Sequence, residues 1–165
     1  MERYKGNWNS VNTHTVPKWY EDCKFGIFIH WGIYSVPAFA PHTWELGEVD
    51  SKEWFADNPY AEWYYNSLNI GKGPTYEHHM EKYGKDFKYE DFIPMWKAEN
   101  WDPKQWAEIF KEAGAEYVVL TTKHHDGFCL FPSKYTHFNS VEMGPKRNIT
   151  GELTEAVRDA GIRMG

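Results

Sequence analysis

Residues 117–128 read Tyr117-Val118-Val119-Leu120-Thr121-Thr122-Lys123-His124-His125-Asp126-Gly127-Phe128. A short apolar run turns polar within a few residues and ends in two histidines and an aspartate. An earlier segment repeats the pattern. Lys24-Phe25-Gly26-Ile27-Phe28-Ile29 is largely apolar and runs into His30-Trp31-Gly32. Near-continuous apolar runs of this length fit strands buried on both faces, the setting that parallel sheets provide. The two segments are therefore expected to be strands over 24–30 and 116–122. Each would deliver histidine at its C-terminal end. In α/β barrels that rim is where the chemistry sits.

The sequence around the second strand supports the same architecture. Asp102 is a good N-cap, Pro103 falls at the first helical position, and Gln105 is placed to reach back to the cap. Trp106, Ile109, Phe110 and Ala113 share one helical face, and Gly114 follows as a stop. After the double histidine comes a loop, 131–148, rich in Pro, Ser, Thr and Asn. A second helix is expected over 151–160, with Leu153, Ala156, Val157 and Ala160 as its apolar stripe. A third strand would begin near Ile162 and run into Gly165. Residues 1–23 read as an irregular lead-in. The long segment 31–100 reads as mixed, with short helices over Lys52–Tyr65 and Tyr89–Lys97 and a loop at 69–74. Strand, long excursion, helix, strand, helix and strand start is the opening of an α/β fold with right-handed crossovers. Two strands and part of a third do not close a barrel. The expectation is one domain portion, residues 1–165, forming the N-terminal part of a (β/α)8-like TIM barrel that is incomplete in this chain.

Composition narrows the class of function. The chain has 165 residues, 41% hydrophobic and 25% charged, which is ordinary for a globular protein. Aromatic residues reach 18%, enough to furnish both a core and a pocket that stacks flat apolar faces. A net charge of −6 without a long basic run argues against nucleic acid as a partner. No apolar stretch approaches the roughly 20 residues of a membrane-spanning helix, so no membrane partner is expected. The N-terminal Met1-Glu2-Arg3-Tyr4 lacks a signal peptide's apolar region, which favours a cytoplasmic chain. Cys23 and Cys129 each adjoin an expected strand and read as reduced, buried thiols. Asn148-Ile149-Thr150 matches a glycosylation acceptor, a triplet common by chance.

Adjacent strand residues point to opposite faces, so His124 and His125 enter one pocket only where the strand has already become loop. Asp126-Gly127 marks that change. A direct His-His pair is a weak metal motif, whereas neutral imidazoles exchange hydrogen bonds with hydroxyls readily. Substrate binding, a structural role and metal ligation all remain open for the pair. His30 is either a satisfied structural residue or a second site histidine. Glu62-Trp63-Tyr64 sets a carboxylate beside aromatic rings, which is what a sugar needs for its hydroxyls and its C–H face. His78 and His79 read as solvated loop residues, and Trp96, Trp101 and Trp106 as packing.

Taken together these segments resemble glycoside hydrolase family 29, the α-L-fucosidases. The matching pieces are 25–32, Glu62-Trp63-Tyr64, 113–128, Gly144-Pro145-Lys146-Arg147 and Gly161-Ile162-Arg163-Met164-Gly165. The resemblance implies a (β/α)8-like barrel and retaining hydrolysis of terminal α-L-fucose by two carboxyls, with no metal and no cofactor. It implies that His30, Trp63, His124 and His125 hold the fucose, with Glu62 beside the pocket. It places the nucleophile and the acid/base on later strands, after Gly165, so no catalytic residue is assigned here. Asp126 is expected to orient the turn or the imidazoles. A fucosylated glycan or oligosaccharide is the implied partner, and the whole enzyme would be a candidate homo-oligomer. Tyr65 and Asn148 depart from the family pattern, which more often has Trp and Asp there. Two other functions fit the residues: a sugar-binding module without hydrolysis, and a metal-dependent barrel hydrolase using His30, His124 and Asp126.

Overall fold

The computed structural model describes residues 4–42, 48, 50 and 52–165. Met1, Glu2 and Arg3, on which the reading of the N-terminus rests, lie outside the described residues. In chain order its elements are α1 (Trp8–Val11), α2 (Lys18–Asp22), β1 (Gly26–Ile29), α3 (Tyr64–Ile70), α4 (Pro74–Lys82), α5 (Pro103–Glu112), β2 (Tyr117–Leu120), α6 (Ile149–Asp159) and β3 (Arg163–Met164). Three short 3-10 helices, Ile33–Ser35, Ala61–Trp63 and Tyr89–Met95, punctuate the long segment between β1 and α5.

The strands form a parallel sheet in the order β1-β2-β3. Gly26 pairs with Tyr117 and Ile29 with Leu120, while Tyr117 pairs with Arg163. The third strand is the short one expected near Ile162. Its last contact with β2 is the Gly165 amide, which donates to the Val118 carbonyl at 2.9 Å, so Gly165 continues the ladder just past β3. Parallel strands need crossovers, and α5 and α6 supply them, packing against each other on one face. Val118 and Leu120 are buried beneath this layer with Leu153 and Val157. The strands are shorter than expected, and β1 is not buried on both faces. Phe28 is 65% exposed while Ile27 and Ile29 are half-buried, so the described residues cover only one face of that strand.

The caps behave as read, with adjustments. Asp102 accepts from the Lys104 and Gln105 amides and starts α5 at Pro103. The buried position of α5 is Ala107, flanked by half-buried Trp106 and Phe110, whereas Ile109 and Ala113 are exposed. A small residue at 107 lets α6 approach. Helix α6 begins at Ile149, earlier than expected, because the Asn148 side chain caps it by accepting from the Gly151 amide at 3.0 Å. An aspartate would cap the same amide. With its oxygen committed to this cap, Asn148 reads as a helix start rather than a glycan acceptor. Cys129 is buried and Cys23 half-buried, both as free thiols.

The lead-in holds two short helices where none was expected. Trp19 and Tyr20 of α2 pack on Tyr117 with ring centroids 6.4 and 5.6 Å away, and the Arg163 guanidinium lies 4.4 Å from the Trp19 ring. The Tyr117 ring covers Gly26 so closely that a Cβ there would lie 2.1 Å from it. These aromatics occupy the N-terminal ends of the strands and leave the histidine end free.

The excursion also differs from its reading. Residues 52–56 are turns, and helix starts only at Ala61. Pro59 accounts for this, since it bars Asn58 from the helical region. Helix α3 then runs to Ile70 and α4 starts at Pro74, so only 71–73 connect them. His78 and His79 lie in α4, and His79 is 1% exposed rather than solvated. Its Nε2 donates to the Phe87 carbonyl at 2.8 Å, and its Nδ1 pairs with the Tyr64 hydroxyl at 2.9 Å. Around them Phe92, fully buried, meets Tyr64, Tyr83, Phe87 and Tyr89. The excursion therefore adds an aromatic part to the core that also holds Val118 and Leu153.

Candidate functional site

His30 is the residue after β1, and its position is set from behind. The next residue, Trp31, is clasped by Trp96, Trp101 and Trp106 at centroid distances of 5.0, 5.1 and 5.4 Å. Trp101 donates its indole N–H to Glu152 at 2.9 Å, and Arg147 pairs with the same carboxylate at 2.6 Å. The three tryptophans read as packing do pack, and what they pack is the root of His30.

Beyond β2 the chain turns within four residues. The Gly127 amide donates to the His124 carbonyl at 3.1 Å, and Gly127 takes φ +80, which a side chain would disfavour. The turn frees His124 and His125 from strand alternation. Both rings then face Trp63, His125 lying tilted against it at 4.0 Å and His124 meeting it edge-on at 6.1 Å. His30 lies 5.4 Å from His124. The Glu62 carboxylate joins them: one ligating atom each from His30, Glu62 and His124 lie within 4.8 Å of one another. Five residues from three separate segments thus meet at the C-terminal rim of two neighbouring strands.

A second layer fixes this group. His124 Nδ1 donates to the Glu62 backbone carbonyl at 3.1 Å, because a carbonyl only accepts. That leaves the lone pair of the neutral ring on Nε2. The Tyr64–His79 bond anchors the chain directly after Trp63. Tyr65 stacks on Tyr89 at 4.6 Å, and Tyr89 donates to Asp126 at 2.9 Å. Asp126 also accepts the Phe128 amide at 3.1 Å. Asp126 is therefore buried and committed to the turn, and the acidic member of the cluster is Glu62. The metal set His30, His124 and Asp126 is not assembled; the aspartate faces Tyr89 and Phe128. Tyr34, buried 5.9 Å from His124, went unnoticed in the sequence, as did the supporting roles of Tyr64, His79 and Tyr89. No local pattern announces them, because their partners are distant in sequence: Tyr89 lies 37 residues from Asp126, and Tyr34 is farther still from His124.

Burial lowers the His124 pKa below 6.5, and the imidazoles of His125 and His30 lower it further against the opposing pull of Glu62. Burial raises the Asp126 pKa above 3.8, opposed by the Tyr89 and Phe128 hydrogen bonds. Burial first, then the Asp126 charge, holds the Tyr89 hydroxyl above the ordinary phenol range, so it acts as a donor. His124 is neutral at pH 7 and presents an acceptor at Nε2. Its depressed native pKa adds stability above pH 6.5 that is lost as pH falls through the native value. An NMR titration of the imidazoles is expected to place the His124 midpoint below 6.5. A midpoint at or above that value would contradict the burial described.

Comparison with known proteins gives one family throughout. The sequence matches the family model described as Alpha-L-fucosidase over residues 1–165. An α-L-fucosidase of Dictyostelium discoideum is 41% identical over 168 residues, covering 99% of this chain and 33% of that protein. The tissue α-L-fucosidase of Homo sapiens is 40% identical, covering 99% of this chain and 31% of that protein. A crystal structure of Thermotoga maritima α-fucosidase in complex with fucose is 57% identical with a TM-score of 0.86, covering 99% of this chain and 36% of that one. A further α-L-fucosidase structure is 60% identical with a TM-score of 0.91, covering 99% and 37%. The chain spans about a third of the length of the curated relatives it matches.

Proposed function

We propose that this chain, which belongs to the α-L-fucosidase family, supplies the fucose-holding half of a retaining glycosidase site. Its three parallel strands are read as the first three of a (β/α)8-like barrel, of which residues 1–165 form one portion. The observation that carries the proposal is the convergence of His30, Glu62, Trp63, His124 and His125 at one rim of two adjacent strands. Glu62 and the free Nε2 of His124 accept from sugar hydroxyls, His30 and His125 add further polar contacts, and Trp63 offers a ring to the sugar's C–H face. The nucleophile and the acid/base would come from strands after Gly165. Among the described residues the buried carboxyl near the histidines is Asp126, which is committed to Tyr89 and Phe128 and does not take either role. Hydrolysis by such a pair uses no metal or cofactor. The substrate is a terminal α-L-fucose on a glycan or oligosaccharide.

The test is a titration with L-fucose followed by tryptophan fluorescence. Saturable change at millimolar sugar is expected, because Trp63 lies in the pocket. Residues 1–165 alone are expected to leave an aryl α-L-fucoside uncleaved. An unchanged spectrum at millimolar fucose would remove the binding role, and saturable turnover by residues 1–165 would remove the division of labour.

A further inference from the structure

The side chains of His30, Glu62 and His124 form a donor set that suits a metal ion as well as sugar hydroxyls. We propose that these three side chains also form a site for a borderline transition-metal dication such as Zn2+, and that metal and sugar exclude one another there. The mutual exclusion rests on the sugar-holding role above; the metal site does not. Each residue offers one ligating atom, and the three atoms lie within 4.8 Å of one another. Two imidazoles and one carboxylate are the ligand set of open zinc sites, which keep a further position for water. Zinc bonds of about 2.0–2.1 Å in tetrahedral geometry bring ligand atoms to about 3.4 Å apart. Side-chain rotation closes that difference, since His30 is exposed and Glu62 half-buried. Among the described residues neither side chain has a hydrogen-bond or ion-pair partner to give up.

His124 is prepared more specifically. Its Nδ1–H is held by the Glu62 carbonyl at 3.1 Å, which aims the Nε2 lone pair outward. A backbone carbonyl on the far nitrogen is the outer-shell bond that metal-bound histidines ordinarily make, and it sets both tautomer and ring orientation. Glu62 thus contributes twice, its carbonyl orienting one ligand and its carboxylate serving as another. The charge balance is favourable, with a dication meeting one carboxylate and two imidazoles. A hard, oxygen-seeking cation such as Mg2+ fits poorly, because two of the three donors are nitrogen. A bound metal would sit where the sugar hydroxyls must go.

The experiment is a calorimetric titration of the protein with zinc chloride in a non-chelating buffer, without and with saturating L-fucose. One equivalent of zinc is expected to bind, and fucose is expected to weaken that binding. Glu62→Gln, which preserves size, is expected to weaken zinc by more than roughly tenfold, as is His30→Ala. His137→Ala, which removes the surface histidine paired with Glu142, is expected to leave zinc binding unchanged. No saturable zinc binding at millimolar metal, or binding that both Glu62→Gln and His30→Ala leave intact, would overturn the metal site. Zinc and fucose binding without mutual effect would overturn the exclusion. If fucose binds and zinc does not, the inference fails and the sugar site stands. If zinc binds and fucose does not, the sugar site fails and the metal site stands.

Discussion

Replacing Phe92 with alanine is expected to destabilise the protein by about 3–5 kcal/mol, the usual cost of emptying a buried aromatic position. Phe92 has no exposed surface and touches Tyr64, His79, Tyr83, Phe87 and Tyr89. These are large rings held by one another and by the Tyr64–His79 hydrogen bond, so they have little freedom to collapse into the space. The substitution should also reach the site. Tyr64 anchors the Glu62-Trp63 segment, and Tyr89 anchors the turn that carries both histidines. Denaturant unfolding measures the first effect and fucose titration the second. A loss under about 1 kcal/mol would mean that the excursion lacks the packed core described here.

Asp126 has the second large effect, and its two substitutions separate charge from hydrogen bonding. Asp126→Ala leaves the Tyr89 hydroxyl and the Phe128 amide without their partner. Each such buried group costs about 1–3 kcal/mol, so a loss of several kcal/mol is expected. Asp126→Asn keeps an oxygen for the Phe128 amide, while its NH2 faces the Tyr89 hydroxyl, which must turn from donor to acceptor, so it should cost less than the alanine. The raised carboxyl pKa gives the pH signature. Its contribution to stability is full below 3.8 and declines as pH rises through the elevated native value. The asparagine variant should lack that decline. Equal losses from both substitutions in denaturant unfolding would show that the carboxylate acceptor facing Tyr89, and not side-chain size or the Phe128 bond, carries the whole contribution.

These two residues show where sequence reading reaches and where it stops. The strands, the two capped helices and the site histidines are legible because their signals are local: an apolar run, Asp102-Pro103, a double histidine. Local signals also explain the errors. The Lys52–Tyr65 reading followed side-chain pattern and overlooked the backbone restriction that Pro59 places on Asn58. His79 looked solvated because its neighbours in sequence are polar. Its real neighbours, Tyr64 and Phe92, come from other elements. Asp126 was expected to orient the turn, and it does, but Tyr89 as its partner lies 37 residues away and no spacing rule indicates it. The cluster itself needed the fold. Glu62 reaches His30 and His124 only because a 3-10 turn at Ala61–Trp63 lays the excursion across the rim.

The central claim is that the histidine rim holds fucose, and nitrogen NMR of the histidine and tryptophan side chains during fucose titration tests it most directly. His30, His124, His125 and the Trp63 indole are expected to shift together and saturate together. His79, closed between Tyr64 and Phe87, and His137, exposed on the far loop, are expected to stay in place. Saturable shifts at His79 or His137 with none at His124 and Trp63 would contradict the account.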